Sequence, residues 1–355
     1  MSEPLYVPVL PARPHAVEAY RRLAPDVRAA LMPLWNIPPL TAGTPAGLDA
    51  AVQRFVAPVS AAHRHHGGWI DAPFADGEQI RVLAGSLAVH SEWGRLLPVT
   101  GPERDEAQQT SALETGRRCG SGVGLRVRVP GEWDGGTAEA VRSLLTRAGP
   151  SVPVDLLLDM GEVLGDRPEA DKEALRALDA LVPLTAWRTA AVLGGGFPRV
   201  TADLLERGLR EEPRTDWSMW HGMRTSGRAY LPLLGYGDYG VQHTGALAQV
   251  PRPNSGGGPP WGALRYTTES SYVLCKVLNR GDDRIAVNRR AARWITELPG
   301  FRARGGAGEA WLRGCADGPL TSPKGTGGPL QWLWAGHTQH LTYVARCLSG
   351  GRTGR

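Results

Sequence analysis

Short apolar segments with strand composition alternate with segments of helical spacing along the first two thirds of the sequence. Eight apolar runs predict strands: Tyr6–Leu10, Met32–Ile37, Trp69–Ala72, Leu96–Thr100, Gly124–Val129, Val154–Asp159, Thr189–Leu193 and Leu231–Tyr236. The segments between them predict helices: His15–Leu31, Ala46–His63, Gln79–Trp93, Arg104–Glu114, Thr137–Ala148, Ala170–Leu181 and Val200–Leu209. Alternation of this kind is typical of parallel βαβ units.

The number of units favours a closed barrel over an open doubly wound sheet. Eight strand–helix units are the repeat of a (β/α)8 TIM-like barrel. No strand-to-helix turn carries the GxGxxG pattern of a dinucleotide-binding sheet. The triple glycine Gly194–Gly196 follows a strand, but the next two residues are Phe197 and Pro198. We therefore expect an α/β protein with a barrel core over residues 1–245.

The last third of the chain has a different pattern. Pro251–Trp261 is a loop rich in glycine, proline and serine. Beyond it the pattern predicts two strands and two helices: Leu264–Thr268, Tyr272–Val277, Ala286–Leu298 and His340–Cys347. We expect residues 246–348 to form an irregular C-terminal extension that completes the same domain and packs on the barrel in place of a simple eighth helix. Residues 349–355 are expected to fray.

Composition narrows the class of protein only slightly. The 40 Lys+Arg against 35 Asp+Glu give a net charge of +5, and all but three of these cations are arginines. The charges are dispersed, so no basic arm for nucleic acid stands out. No apolar run is long enough to cross a membrane, and the N-terminus lacks the pattern of a signal peptide. Four scattered cysteines form neither a zinc motif nor a disulfide framework, so a soluble cytoplasmic protein with reduced thiols is expected.

Several longer segments carry a family resemblance. They are YVPVL, LAPDVRAALMPLWNIPP, VDLLLDMG, GGGFP, RTDWSMWHGM, LGYGDYG, ALRYTTESSYVL and GHTQHLTYV. In order and spacing they resemble the beta-protein family, named for the beta protein of T-even-type phages and with many bacterial members. The resemblance covers nearly the whole chain. It implies no settled biochemical activity, and the phage and bacterial setting of the family points to genetic conflict.

The chain departs from the family pattern at two strand ends. Members commonly carry a lysine just after the first strand, where this sequence has Pro11, Ala12 and Arg13. They often carry a glutamate at the end of the second strand, where this sequence has Asn36. If either family residue is catalytic, that chemistry is altered here.

Charged residues at strand ends are the first candidates for a site, because ligands of such barrels bind at the C-terminal ends of the strands. Arg126 and Arg128 share one face of the fifth strand, and Asp155 and Asp159 share one face of the sixth. Arg128 beside Asp159 would form an anion clamp next to a general base or metal-binding carboxylate. The alternative is an ion pair between adjacent strands that closes the barrel mouth.

Two further aspartates have open roles. Asp71 ends the third strand and is either a ligand-binding group or the N-cap of the next helix. Asp238, in the YGDYG turn after the eighth strand, is either a catalytic carboxylate or a turn-forming residue.

Arginines in the last third offer anion-binding groups. Arg265, flanked by Tyr266, either points into the site or extends to the surface. Arg214 could place its guanidinium on an indole of Trp217 or Trp220, although those tryptophans also fit core packing. We take Arg128, Arg265, Asp71, Arg214 and Tyr266 as candidate substrate-binding residues.

Histidines complete the set of candidates. His63, His65 and His66 fall between a helix and a strand, at the end of the barrel where a solvated loop is expected. His337 and His340 are three residues apart, a spacing compatible with a metal pair but lacking an acidic ligand nearby. The other interpretation is that one of these two histidines contacts a ligand or acts in catalysis.

Two hypotheses follow from these residues. In the first, a pocket on the top face binds an anionic, phosphorylated or nucleotide-like molecule, with Asp159, Asp238, His337 and His340 as candidate catalytic groups for phosphoester hydrolysis or elimination. In the second, the barrel is a non-catalytic binding or sensor module in phage–host conflict, with a protein partner. Nucleic-acid binding ranks third. Serine-hydrolase, P-loop and zincin motifs are absent, and the sequence assigns no cofactor.

Overall fold

Strands and helices alternate along the chain, and eight of the strands close into a parallel barrel. This computed structural model describes residues 6–41, 44–63, 66–205, 208–250, 259–319 and 324–350. The strands up to the end of the barrel are β1 (Tyr6–Pro11), β2 (Leu34–Asn36), β3 (Gly68–Asp71), β4 (Leu96–Thr100), β5 (Val123–Arg128), β6 (Val154–Glu162), β7 (Thr189–Gly195), β8 (Leu209–Pro213) and β9 (Leu234–Asp238). All except β8 belong to the barrel, which closes where β9 pairs with β1. The predicted (β/α)8 fold is confirmed.

Alternate residues of each barrel strand fill its interior. The inward apolar side chains include Val7, Val9, Leu34, Trp69, Leu97, Val99, Leu157, Ala191 and Leu193. On β5 the inward position next to Trp69 is Gly124, where a Cβ would lie 2.9 Å from Cδ1 of Trp69. The glycine therefore makes room for the indole inside the barrel.

Asp155 closes the N-terminal end of the barrel. Its carboxylate accepts a hydrogen bond of 2.9 Å from Nε1 of Trp69 and one of 2.8 Å from Nε of Arg188. Asp155 and Asp159 lie on the inward face of β6, as the alternation predicts, at opposite ends of the barrel. Only Asp159 lies at the end where βα loops meet.

Helices cover the outside of the barrel. They are α1 (Pro14–Arg21), α2 (Pro25–Ala29), α3 (Pro45–Ala62), α4 (Gly77–Gly94), α5 (Glu106–Arg118), α6 (Gly135–Ala148), α7 (Ala170–Leu181) and α8 (Thr215–Arg224). The single helix predicted over His15–Leu31 is wrong, because Pro25 interrupts it. Ala24 is extended, as a residue before proline prefers, and Pro25 begins a second helix.

The segment between β7 and α8 also differs from the prediction. The helix expected over Val200–Leu209 is reduced to one 3₁₀ turn at Asp203–Leu205. The chain then continues as β8, which pairs antiparallel with a later strand of the extension. The eighth barrel strand begins at Leu234 rather than Leu231, because Leu231–Leu233 forms another 3₁₀ turn.

The C-terminal extension supplies the remaining cover of the barrel. It contains β10 (Trp261–Thr267), β11 (Ser271–Leu278), α9 (Arg284–Thr296), α10 (Ala307–Asp317) and α11 (Pro329–Gly350). β10, β11 and β8 form an antiparallel sheet. Its buried apolar side chains pack against those of α9 and α10. The long helix α11 contacts α1, α2 and β1, so it occupies the position of an eighth barrel helix. Most of the predicted loop over Pro251–Trp261 lies outside the described residues.

In the parts of the chain that the structure describes, no helix combines the length and apolar character that a membrane span requires. All four cysteines are free thiols, and Cys275 and Cys315 are buried.

Candidate functional site

Arg126 organises the C-terminal mouth of the barrel. It projects inward from β5 and donates to Asp159 Oδ2 from Nε at 2.9 Å. One terminal nitrogen donates to Asn36 at 2.7 Å and to Asp71 at 2.8 Å, and the other to the Tyr239 hydroxyl at 3.0 Å. Of the two interpretations of Arg128 and Asp159, the ion pair between them is therefore not formed. Both arginines share a face, but Arg126 lies one layer deeper and makes the contact.

Asp159 is saturated by donors. Besides Arg126 it accepts from the Tyr239 hydroxyl at 2.6 Å and from the Gly161 backbone N–H at 2.9 Å. Burial alone would raise the pKa of this carboxyl, but the charge of Arg126 and the Tyr239 hydroxyl hold the pKa of Asp159 below its usual value. A carboxylate in this state is a poor general base at neutral pH.

Asp71 lies between two guanidinium groups. Besides the bond from Arg126, its Oδ2 accepts from Arg104 at 3.1 Å. Arg104 also donates to the Pro73 carbonyl at 2.9 Å. The N-cap interpretation of Asp71 is wrong, since Asp76 instead accepts from the N–H of Gln79 at the start of α4.

A cavity of about 380 Å³ opens above this network at the mouth. Its lining includes Asn36, Phe74, Arg104, Arg126, Arg128, Asp159, Glu162, Arg167, Tyr239, Thr244 and Leu247. Arg167 is committed to the Glu173 carboxylate and to backbone carbonyls. Arg128 is exposed, and no hydrogen bond or ion pair joins it to any described residue. It is thus the arginine of this wall that is available to a ligand.

The rim of the same cavity carries a histidine–carboxylate pair. Nε2 of His243 lies 2.9 Å from Oε2 of Glu162. Nδ1 of His243 accepts from the Gly245 N–H at 3.1 Å, so in the neutral ring the proton is on Nε2 and faces the carboxylate. Glu162 is partly exposed, unlike Asp159, and it keeps access to the cavity.

Asp238 does not face the mouth. Its register with Gly194 and Pro8 places it on the outer face of the barrel wall, against the extension. It accepts from the Tyr6 hydroxyl at 2.8 Å and pairs with His340 Nε2 at 2.9 Å. All of these side chains are buried, so the group ties β1 and β9 to α11.

The second ring nitrogen of His340 connects this group of side chains to β10. This nitrogen, Nδ1, lies 2.9 Å from the Thr267 hydroxyl, and Thr267 is fully buried. The order of carboxylate, imidazole and hydroxyl is that of a hydrolase triad. None of these three residues lines the mouth cavity. Their burial at the joint between barrel and extension makes them a structural link.

Arg214 belongs to the same buried layer. Its guanidinium lies 4.7 Å from the ring centre of Trp217, so the indole contact, one of the two interpretations of this arginine, is formed. It also donates to the Thr268 carbonyl at 3.3 Å. Nearby Asp216 accepts from the hydroxyls of Tyr236 and Tyr272, and burial together with Asp238 raises the pKa of Asp216. Arg214 therefore joins the barrel to the extension, away from the mouth.

The remaining candidates fall in two other places. Tyr266 is buried in the core of the extension, where its hydroxyl accepts from the Arg302 N–H at 3.0 Å. Arg265 is partly buried and folds back onto the Ala263 carbonyl, so it does not extend to the surface. His337 does not share a ligand position with His340; its ring stacks on His15 instead. The described residues contain no group of three or more His, Cys, Asp or Glu side chains suited to a metal ion.

The solvated-loop interpretation of the HRHH segment is wrong for its first histidine. His63 is fully buried, stacks on Tyr20 and accepts from Nε1 of Trp35 at 2.8 Å. His66 is half-buried, and His65 lies outside the described residues. Burial lowers the pKa of His63 to about 4, which fits the neutral acceptor that Trp35 requires.

Sequence reasoning did not identify Arg104, Tyr239, Glu162 and His243 as mouth residues. The signal for Tyr239 was present in the YGDYG turn, whose second tyrosine shares parity with the inward Gly237. Glu162 follows Asp159 on the extended end of β6, and the predicted strand stopped short of it. No local pattern marks Arg104 or His243.

These features define a (β/α)8 barrel with an internally paired, charged mouth beneath an open cavity. A comparison with protein families matches the Beta protein family over residues 6–346, and the chain belongs to that family. Among curated proteins nothing matches. Among solved structures, the chain is similar to a mandelate racemase/muconate lactonizing protein from Herpetosiphon aurantiacus, with 10% identity and a TM-score of 0.36 over 79% of this chain and 65% of that chain. The chain thus spans less than two thirds of that protein.

Proposed function

We propose that this barrel binds a small anionic molecule, phosphorylated or nucleotide-like, in the cavity at its mouth, as a binding or sensor module rather than through catalysis by Asp159. The observation that carries the proposal is Arg128, whose guanidinium is exposed on the cavity wall without a partner among the described residues. A phosphate or carboxylate would give it a charge-assisted, bidentate partner.

The shape of the cavity fits a ligand of this class. Its volume of about 380 Å³ lies in the range of small-molecule sites. Phe74 lines the same cavity and is 38% exposed, so it offers an aromatic face to a base or another flat group. The C-terminal mouth is also where barrels of this fold bind ligands.

The state of the mouth carboxylates supports binding over chemistry. Asp159 and Asp71 are both committed to guanidinium groups, and Asp159 accepts two further hydrogen bonds. An acid–base catalyst needs a pKa near the working pH, whereas the pKa of Asp159 is lowered. This favours the role of a ligand sensor, which agrees with a place in phage–host conflict.

The test is thermal unfolding in the presence of nucleoside phosphates and phosphosugars. At about a hundred times its dissociation constant a ligand adds about 2.7 kcal/mol, which raises Tm by about 3–4 °C for a chain of this length. Arg128→Gln should abolish the shift, and Arg142→Gln, an exposed arginine on α6, should keep it. An equal shift in both variants, or none in the wild type, would refute the proposal.

A second function, phosphoester hydrolysis or elimination, is favoured by the His243–Glu162 pair at the rim. The partly exposed Glu162 lies on the cavity wall and could accept a proton from a ligand or water there. Turnover of nucleoside phosphates by the wild type, lost at least a hundredfold in Glu162→Gln but kept in Glu139→Gln, would support this function. Binding without turnover would exclude it for the compounds tested.

A further inference from the structure

Four basic side chains meet at a second place, between the end of β1, β10 and α11. His15 and His337 stack with ring centres 5.8 Å apart. The positive charges of Arg13 and Arg265 both act on His15, and Arg265 also acts on His337. We call Arg13, His15, Arg265 and His337 the basic cluster.

Acidic groups do not balance this cluster. Among the described residues, no carboxylate forms a hydrogen bond or ion pair with any of its four side chains. Asp238, which lies near α11, is committed to Tyr6 and His340. Residues 251–258, outside the described part, contain no Asp or Glu in their sequence. Among the described residues, the positive charge of this cluster therefore has no carboxylate partner.

The cluster also has unused hydrogen-bonding capacity. Both ring nitrogens of His337 are buried without a partner, and so are Nε of Arg265 and Nε of Arg13. Arg265 uses one terminal nitrogen on the Ala263 carbonyl, at 3.0 Å. His15 is held only by Gln242, whose Nε2 lies 3.2 Å from Nε2 of the ring. Buried polar groups in this number are rarely left unpaired in native proteins.

The pKa values of the cluster residues are lowered. Burial lowers the pKa of His15 to about 4 and that of Arg265 to about 10. Burial also lowers the pKa of His337 well below its usual value, with His15, His340 and Arg265 adding to the effect. Burial is the largest cause in each case, so positive charge is disfavoured here while it lacks a counter-ion, and a bound anion would supply that counter-charge.

We propose that the basic cluster is a binding site for a phosphate group, separate from the mouth cavity and held between the barrel and the C-terminal extension. Donors from three elements, namely α1 with its N-cap, β10 and α11, converge there, which suits a tetrahedral oxyanion better than a planar carboxylate. Arg13 also lines a cleft of about 400 Å³ between α1, α3 and α11, together with Arg21, Arg22 and Arg54 and with Glu18, which pairs with Arg22. The cleft reaches the cluster at Arg13, and its arginines outnumber its one carboxylate, so its net charge attracts an anion.

The proposal predicts an unusual sign for a substitution in the cluster. Without phosphate, Arg265→Met removes a charge whose described partners are only the Phe197 ring and the Ala263 carbonyl, so the variant should be as stable as the wild type or more stable. With inorganic phosphate, the wild type should gain in Tm and the variant should not, with affinity weakened at least tenfold. An arginine with a purely structural role would instead destabilise the protein equally in both buffers when replaced.

The test compares the response of the protein to three anions. Inorganic phosphate and a nucleoside monophosphate separate a free ion from the phosphate of a larger ligand, and sulfate reports tetrahedral anions in general. Arg128→Met removes the mouth residue and should leave the response of the cluster intact, so the two proposals fail independently. NMR titration of the imidazole protons should show phosphate raising the pKa of His15. No phosphate response in the wild type, or an unchanged response in Arg265→Met, would overturn the proposal.

Discussion

Replacing Arg126 with methionine tests whether the mouth network holds the barrel together. The substitution keeps an unbranched apolar chain in place of the arginine stem and removes the cation that faces Asp159 and Asp71. Both carboxylates are at most 1% exposed. Arg104 still reaches Asp71, and Tyr239 still donates to Asp159, so the loss is partial rather than complete.

Removing one partner of a buried ion pair costs about 3–5 kcal/mol, because the remaining charge stays buried without its counter-ion. We expect about 4 kcal/mol for Arg126→Met. The entropy of unfolding is about 2.1 cal/mol/K per residue, or about 0.75 kcal/mol/K for this chain, so Tm should fall by about 5 °C.

The pH dependence of this loss has a definite sign. In the wild type the pKa of Asp159 is below its usual value, so its contribution to stability is present above pH 4 and is lost as pH falls through the lowered pKa. In Arg126→Met burial dominates and raises that pKa, so the variant becomes relatively more stable as pH falls. The difference between the two proteins should therefore be largest at pH 7 and should shrink towards pH 4.

Urea unfolding at pH 7 and pH 4.5 measures both quantities. Arg128→Met is the matched control, since it lies two residues further on the same strand face but is exposed and without a partner among the described residues. It should change stability by less than about 0.5 kcal/mol. The reasoning fails if the two variants are equally stable, or if the deficit of Arg126→Met is the same at both pH values.

Two further substitutions probe the buried polar contacts. The pKa of His63 is about 4 in the folded protein and about 6.5 in the unfolded chain. About 3 kcal/mol of the free energy of unfolding is therefore lost as pH falls from 6.5 to 4. His63→Gln should remove this dependence, so stability should fall less steeply over that range. Urea unfolding across that range checks this, and an unchanged slope would contradict it. Tyr6→Phe removes the hydroxyl that donates to Asp238 and should cost about 1–3 kcal/mol in calorimetry, with Tyr343→Phe, a half-buried tyrosine on α11, as control.

The barrel could be predicted from the sequence because its signals are local. Strand composition and helical spacing repeat in step, and each helix needs only its own apolar face to be recognised. The errors fall where a local signal was missed or where a long-range contact overrode one. Pro25 splits one predicted helix, and Leu209–Pro213 becomes a strand only because β11 lies beside it.

The site was less predictable because both faces of a barrel strand are buried. Alternation shows that Arg126 and Arg128 share a face, but the depth of each in the barrel depends on the stagger of all eight strands. For Asp238, parity with Tyr236 gave no direction, since none of the other four residues of β9 is charged. The partners of Asp238, Tyr6 and His340, lie 232 and 102 residues away.

The described residues contain three polar clusters: one at the mouth, one at the joint between barrel and extension, and the basic cluster. They differ more in their balance of positive and negative charge than in the types of residue they contain. At the mouth, Arg126 and Arg104 face Asp71 and Asp159, and at the joint with the extension Arg214 and His340 face Asp216 and Asp238. The basic cluster has cations and imidazoles with no carboxylate partner among the described residues. Removing a cation from a balanced cluster exposes a buried anion to its full desolvation cost, whereas removing one from the basic cluster relieves repulsion. Opposite signs of the stability change in Arg126→Met and Arg265→Met therefore follow from one electrostatic argument, and equal signs would refute it.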